Sequence, residues 1–440
     1  MTATATTFKR GIHPDDHKAP TQGLPIVAAP RPAEVILPLS QHTGAPCSAT
    51  VAKGDEVRAG QLIGEAAAFV SAPVHASVSG TVTAVEPRPM PLGRTVESVV
   101  IQTAETDEWD LMTPLSEAER ADPATVKSRI RDAGIVGMGG AAFPTHVKLS
   151  PPDGIAIDTL LVNGAECEPY ITADHRVMLE SAEGVVAGAM LLQTAVGAQD
   201  LIICVEENKP DAIEAIATAC AGTGVSVRRL RTKYPQGGEK QLIQAVLGRE
   251  VPSGGLPLHV GVIVNNVATC LAVRDAVEMG RPFVERVVTV TGPGIPSPAN
   301  LLARLGTPFS VLVDACGGLS PGTRKVLMGG PMMGLAQTGL SVPVIKGTSC
   351  ILALEDAADE PERACIRCGV CVDSCPMGLV PTRLAKMVKA GDIDSAEAWG
   401  LADCMECGVC SYVCPSRVPL AHLMKYGRAE ILARRRKASK

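Results

Sequence analysis

Cys365-Ile-Arg-Cys368-Gly-Val-Cys371-Val-Asp-Ser-Cys375-Pro376 and Cys404-Met-Glu-Cys407-Gly-Val-Cys410-Ser-Tyr-Val-Cys414-Pro415 are the two stretches whose reading decides the fold. Each cysteine of the second run stands 39 positions after its counterpart in the first, from 365 to 404, 368 to 407, 371 to 410 and 375 to 414. The chain therefore carries an internal duplication. In both copies three cysteines at two-residue intervals precede a fourth that is followed by proline.

Three thiolates at this interval wrap a tight loop around three corners of an iron–sulfur cube, and the fourth, before proline, turns the chain away. Two such runs read as a two-cluster, ferredoxin-like module, in which the fourth cysteine of each run crosses to the other cluster. The expected ligands of one [4Fe-4S] cluster are Cys365, Cys368, Cys371 and Cys414. Those of the second are Cys404, Cys407, Cys410 and Cys375. Four cysteines also suit tetrahedral zinc, but zinc ribbons present separated Cys-x-x-Cys pairs. Disulfides are disfavoured, because Met1 to Pro20 lacks the apolar run of a signal peptide and closely spaced thiols then point to a reducing compartment. Two clusters make a wire, so an electron donor or acceptor site is expected elsewhere.

The 440 residues allow several domains, and 46% hydrophobic with 2% aromatic content means cores of Ala, Val, Leu and Ile. Scarce aromatics and a net charge of −5 provide neither stacking platforms nor a basic field for nucleic acid. No stretch offers the ~18 uninterrupted apolar residues of a membrane span, so membrane association is expected through partners.

Between about 36 and 101 short apolar runs alternate with glycine turns, as in Lys53 to Gly64 and Ala72 to Val82, which predicts a small β-sandwich or barrel. The segment resembles the barrel-sandwich fold of biotinyl and lipoyl carrier domains without a Met-Lys-Met-like attachment tip, so a structural or docking role is expected. His42 and His75 read as hydrogen-bonded structural histidines.

A helix is expected from Asp122-Pro123, with Asp as N-cap, apolar Val126, Ile130 and Ala133 on one face, and Gly134 at its end. Gly137-Met-Gly139-Gly140-Ala-Ala-Phe-Pro-Thr-His-Val-Lys148 follows. Its glycines allow backbone N–H groups to approach a phosphate, and Lys148 adds a point charge. A strand over Asp158 to Asn163 then delivers Asn163-Gly-Ala-Glu166-Cys-Glu168-Pro-Tyr at its carboxyl end. Helix Arg176 to Val196, strand Leu201 to Val205, helix Asp211 to Cys220 and strand Val225 to Leu230 predict a largely parallel α/β sheet. Tyr234-Pro-Gln-Gly237 opens a further helix, and a strand ends in Asn265-Asn266-Val-Ala-Thr269. Each feature has a plainer account: caps for Asn265 and Asn266, a solvated face for Glu166 and Glu168, packing turns for the glycines. Jointly, at one edge of the sheet beside an iron–sulfur module, they point to a flavin-nucleotide pocket.

Val284 to Leu354 fits a compact α+β domain of β-grasp type with no catalytic constellation. Cys47, Cys204, Cys220, Cys270, Cys316 and Cys350 read as small buried hydrophobes, whereas Cys167 lies in the expected pocket. A last helix, Leu420 to Arg436, ends in Arg434-Arg-Arg-Lys437, either a solvated basic tail or a surface for a membrane or an acidic partner.

Phe8-Lys-Arg-Gly-Ile-His13-Pro14, Pro38-Leu-Ser-Gln-His42, Ala72-Pro-Val-His75-Ala-Ser-Val-Ser-Gly80, the glycine loop to Lys148 and the two cysteine runs resemble, over nearly the whole chain and in the same order, the RnfC (RsxC) family of subunits of Rnf electron-transport complexes. The middle of the chain is also similar to the flavin-bearing NADH-binding subunit of respiratory complex I. The resemblance implies that Gly137, Gly139, Gly140, Lys148, Asn163, Glu166, Glu168, Tyr234, Gly237, Asn265, Asn266 and Thr269 surround FMN, with NAD(H) stacked above. Met138 replaces an arginine of that subunit, Ala165 an acidic residue, and Gly238-Glu239-Lys240 part of a paired-glutamate motif, so the nicotinamide contacts stay open.

The implied organisation is multidomain α/β and α+β. Residues 1–115 hold an N-terminal segment and the barrel-sandwich, 116–283 a Rossmann-like FMN/NADH-binding domain, 284–355 a soluble-ligand-binding β-grasp domain, and 356–440 the two-cluster domain with its basic helix. The implied function is that of a peripheral oxidoreductase and translocase subunit on the cytoplasmic face of the bacterial inner membrane. Hydride moves there between NAD(H) and FMN, and electrons pass through two [4Fe-4S] clusters to membrane and iron–sulfur partner subunits that couple ferredoxin–NAD exchange to ion movement. The alternatives are a soluble flavin iron–sulfur reductase such as a cobalamin reductase, which lacks the leading carrier-like domain, and a non-enzymatic cluster-bearing adaptor.

Overall fold

The computed structural model describes residues 5–356 and 361–438. Thr6 bridges Leu230, Ile12 bridges Tyr234, and Ile26–Ala28 pairs in parallel with Ala299–Arg304. The N-terminal segment therefore runs across the α/β and third domains before the chain enters the barrel.

The barrel-sandwich consists of two antiparallel sheets. One orders Glu34–Pro38, Arg94–Thr103, Gly80–Met90 and Glu56–Val57, and the other orders Cys47–Ala49, Leu62–Ala66 and Val74–His75. Val35, Leu37, Ile63, Val82 and Ile101 share one apolar core with Val288, Leu301, Phe309 and Leu312 of the third domain. Burying each such side chain contributes about 1.5–3 kcal/mol, which fixes the two domains to each other. Lys346 adds a polar pin: its buried Nζ donates to Pro73 O at 2.6 Å and Gly134 O at 2.7 Å. His42 and His75 are buried. Burial, with the Lys346 charge behind it, pushes His42 down to about 4 and His75 to about 3, so both are neutral imidazoles.

In the α/β domain Asp122 caps helix Pro123–Asp132 by accepting from Thr125 N at 2.9 Å. Val126, Ile130 and Ala133 are fully buried. Four parallel strands lie in the spatial order Ser226–Leu230, Asp200–Glu206, Thr159–Gly164, Val262–Asn266. The chain runs outward in one direction from Thr159–Gly164 and then returns to its other side. The junction between Thr159–Gly164 and Val262–Asn266 is thus a topological switch point, where a crevice opens at the strand ends. The expected single helix to Val196 is two, Ala173–Glu180 and Ala182–Val196, broken at Ser181 with φ −140°.

The third domain is a mixed sheet of six strands, in which Ile26–Ala28 forms one edge and Leu335–Ala336 the other. Its helix is Phe309–Ala315.

The cysteine domain repeats its backbone as well as its sequence. Arg367 and Glu406 have φ 58° and 59°, Gly369 and Gly408 have 80° and 78°, and Gly378 and Arg417 have 69° and 52°. Left-handed torsions at non-glycine residues cost of order 1–2 kcal/mol, so the same curl at matched positions marks a loop built to wrap something. Short helices Val370–Asp373 and Val409–Tyr412 follow the loops, and Leu420–Ala438 closes the domain. Arg434 pairs with Asp394 at 2.7 Å and Arg435 with Glu397 at 2.5 Å; part of the basic end is therefore used within the domain. Among the described residues no helix is long and apolar enough to cross a membrane.

Candidate functional site

At the switch point Asn163 and Asn266 are register partners on adjacent strands. The glycine loop folds over them. Gly137 N donates to Phe143 O at 2.9 Å, closing the loop, and Met138 N donates to the Thr269 hydroxyl at 3.1 Å, tying it to the helix after the strand. A Cβ on Gly139 would stand 3.1 Å from Asn266 Nδ2, whereas one on Gly140 would meet nothing within 4 Å. The first glycine allows the loop to lie on the strand end, and the second faces open space.

Asn266 caps its helix, accepting from Ala268 N at 2.8 Å, and donates to Asp174 at 2.5 Å. Asn265 is buried, and its Nδ2 has no partner among the described residues. Lys148 Nζ donates to Val264 O and to the Glu239 carboxylate, both at 2.6 Å. Asn163 Nδ2 donates to Gly237 O at 2.9 Å, and Gly237 N points at Cys167 Sγ at 3.3 Å. Gly137, Gly139, Gly140, Lys148, Asn163, Gly237, Asn265, Asn266 and Thr269 thus belong to elements that converge at the strand ends.

Glu166, Glu168 and Tyr234 have other engagements. Glu166 is neither solvated nor open to the cleft: it accepts from Asp174 N at 2.6 Å and lies 3.9 Å from Lys18 Nζ. Burial raises its pKa and the Lys18 charge opposes the rise. Glu168 accepts from Met332 N at 2.7 Å and Met333 N at 3.0 Å in the third domain. Tyr234, 1% exposed, donates its hydroxyl to Cys407 O at 2.8 Å.

Two buried lysines were not anticipated. Lys18 Nζ donates to Glu166 O at 2.9 Å, Glu168 O at 3.1 Å and Ile171 O at 2.5 Å. Lys209 Nζ donates to Ala165 O at 2.7 Å and Asn208 Oδ1 at 2.9 Å, with Glu206 at 3.5 Å. Together they hold the 165–171 loop, whose Glu166 and Tyr170 have φ 46° and 70°. The polar run Glu206-Glu-Asn-Lys209 at a strand end carried a readable signal, by the same rule that drew attention to Asn163. Lys18 had none.

In the cysteine domain one cavity is lined by Cys375 of the first run together with Cys404, Cys407 and Cys410 of the second. Cys371, in turn, has the Cys368 and Cys414 thiols as its electrostatic neighbours. Burial and the surrounding sulfurs push Cys404 up to about 11, and Cys407 and Cys410 up to about 12. A metal centre bound here would take these sulfurs as thiolates and so release their protons. Among the described residues no three His, Cys, Asp or Glu side chains are set to hold a single metal ion. Cys365 and Cys368 are exposed, while Cys407 and Cys375 are buried.

Four family descriptions match in sequence along the chain: an RnfC barrel sandwich hybrid domain over 6–106, a Nuo51 FMN-binding domain over 130–275, an SLBB domain over 287–336 and a 4Fe-4S dicluster domain over 364–419. The chain is also similar to the C subunits of three bacterial complexes. That of the proton-translocating ferredoxin:NAD(+) oxidoreductase complex of Clostridium ljungdahlii is 48% identical over 86% of this chain and 84% of its own. That of the Na(+)-translocating ferredoxin:NAD(+) oxidoreductase complex of Acetobacterium woodii is 47% identical over 98% of this chain and 99% of its own. That of the ion-translocating oxidoreductase complex of Rhodobacter capsulatus is 42% identical over 97% and 84%. At this identity, over this share of both chains, the protein belongs to the RnfC family, the C subunits of ion-translocating ferredoxin:NAD(+) oxidoreductase complexes.

Proposed function

We propose that this chain is the NAD(H)-facing redox subunit of an ion-translocating ferredoxin:NAD oxidoreductase complex, with FMN in the switch-point crevice and one [4Fe-4S] cluster on each crossed set of cysteines. When bound, FMN exchanges hydride with NAD(H), and the clusters carry electrons singly. The chain's own residues supply position and environment. Gly139 and Gly140 bring backbone N–H groups to a phosphate, Lys148, ion-paired with Glu239, lies at the same edge, and the Asn265 amide, whose Nδ2 has no partner among the described residues, is a donor suited to a heterocycle's carbonyl edge. Glu166, Lys18 and Lys209 support the 165–171 loop from behind.

For the clusters, the cavity shared by Cys375, Cys404, Cys407 and Cys410 supports the crossed assignment, because it joins the fourth cysteine of one run to the first three of the other. Cys365, Cys368 and Cys371 with Cys414 form the second set. The observation that carries the reading is the turn Tyr234 to Gly238. One side of it is bonded to Asn163 in the crevice, and the other packs on Met405 and Cys407, with 2.7 Å between a Cβ on Gly238 and Met405 Cε. The flavin crevice and the buried cysteine set are therefore separated by a single turn of chain. Membrane attachment at the cytoplasmic face comes from partner subunits that meet the exposed cysteine set.

Anaerobic addition of NADH to the iron-reconstituted, FMN-supplemented chain tests this, with visible and low-temperature EPR spectra recorded together. Flavin bleaching with reduced-cluster signals is expected. Clusters and flavin that respond to dithionite but not to NADH would overturn the NAD(H)-facing role and leave an electron-transfer adaptor.

A further inference from the structure

We propose that Tyr234 is a positioning residue for the buried cluster: its hydroxyl, held between Cys407 and Glu168, sets the potential at which that cysteine set accepts an electron. The inference rests on the cluster assignment above and goes beyond it, because it gives Tyr234 a task on the cluster side of the turn.

The phenol is fully enclosed, packed with Cys407 and Val409 and flanked by Cys167, Met332 and Met405. Its backbone is pinned on the far side, where Tyr234 N donates to Ile12 O and Ile12 N donates to Tyr234 O, each at 2.9 Å. Ring and hydroxyl are thus fixed by packing rather than by solvent. A tyrosine has one O–H to give, and here it goes to the carbonyl of Cys407 at 2.8 Å. The Glu168 carboxylate is the second acceptor within reach of the phenol, and Glu168 is itself held by Met332 N and Met333 N. The same third-domain loop presses on the cluster loop: a Cβ on Gly408, at φ 78°, would lie 2.6 Å from Met332 O. Loops from three domains therefore meet at this hydroxyl.

Cluster potentials respond to hydrogen bonds, net charge and burial around the ligating sulfurs. The Tyr234 O–H directs the positive end of its dipole at the peptide of Cys407, which favours the reduced, more negative form. Burial raises the Glu168 pKa while the Met333 and Met332 N–H groups oppose the rise, and in its ionised form the carboxylate places negative charge nearby and opposes the phenol. Removing the phenol hydroxyl should lower the potential, and neutralising the carboxylate should raise it. The first run differs at the matching position, where Cys368 is exposed.

The test is a redox titration of the full FMN- and iron-loaded chain followed by low-temperature EPR. Tyr234→Phe is expected to move one of the two cluster signals to more negative potential, by roughly three- to tenfold in the reduced-to-oxidised ratio at fixed potential, the worth of about one hydrogen bond. The other signal should stay in place. Glu168→Gln should move the same signal in the opposite direction, and it decides the matter alone if Tyr234→Phe does not assemble its clusters. Signals unmoved by either substitution, or both moved together, overturn the inference. A wild-type chain with no cluster signals at all defeats the functional reading and this inference together, so the two failures are distinguishable.

Discussion

The two cysteine runs share spacing, left-handed turns and following helices, yet they differ in how far their first two cysteines are exposed. The first exposes Cys365 and Cys368, with Ile366 between them 69% exposed. The second is pressed against the rest of the molecule, with Cys407 8% exposed and its carbonyl hydrogen-bonded to Tyr234. The motif dictates how each loop curls, because the curl depends only on local residues. What each loop faces depends on the domains packed around it. This difference is what the proposed direction rests on, with an inner end toward the crevice and an outer end that would meet partner subunits.

The largest expected effect falls on the inner side. Lys18→Met removes the donor to three carbonyls and leaves Glu166 buried without its cation, which should destabilise the chain by about 3–5 kcal/mol. Denaturant unfolding of the two proteins, followed in the α/β domain, measures it, and a loss below about 1 kcal/mol would break the picture of a loop held from behind.

Next comes acid sensitivity at a site remote from both runs. His42 and His75 have folded pKa values depressed to about 4 and 3. The unfolded chain therefore binds more protons below about 6.5, and stability present above that pH is lost as pH falls through it. Each histidine should cost about 2 kcal/mol at pH 5 relative to pH 7. Thermal melts of wild type against a His42→Gln, His75→Gln double variant should show a flatter pH dependence in the variant, with both EPR signals intact.

Gly139→Val tests the crevice end of the comparison. Its Cβ must displace the Asn266 side chain, only 3.1 Å away, so FMN affinity should fall about tenfold, or 1.4 kcal/mol, as read by fluorescence titration. The smallest effect belongs to the outer face. Arg434→Ala breaks a solvent-exposed ion pair with Asp394 and should change unfolding free energy by less than about 1 kcal/mol. A larger loss would mean that the basic helix end is part of the domain's framework.

Legibility followed range in sequence. The duplicated cysteines, the Asp122 cap and the strand ends at Asn163 and Asn266 could be read because each is a local pattern. The break at Ser181 was missed because the apolar periodicity continues through it, whereas a serine there competes for backbone hydrogen bonds. The lacing of residues 6–28 over other domains was not visible either. Lys18 meets Glu166 148 positions away, and nothing near Lys18 announces the contact. The sequence places Glu166 and Glu168 in the loop after the strand, but their burial and partners depend on Lys18 and on Met332 from elsewhere in the chain. A cap and a ligand role are both open to Asn266 from sequence; its oxygen caps, while Nδ2 of Asn265 next to it has no partner among the described residues.

Rapid-freeze EPR after anaerobic mixing with NADH decides the inner–outer order, with Cys368→Ala and Cys407→Ala compared in the FMN- and iron-loaded chain. Cys368→Ala is expected still to show the inner-cluster signal at the wild-type rate, whereas Cys407→Ala should leave the outer cluster oxidised although dithionite reduces it. An outer-cluster signal that forms at the wild-type rate in Cys407→Ala would contradict it, because electrons would then reach the exposed set without passing the buried one.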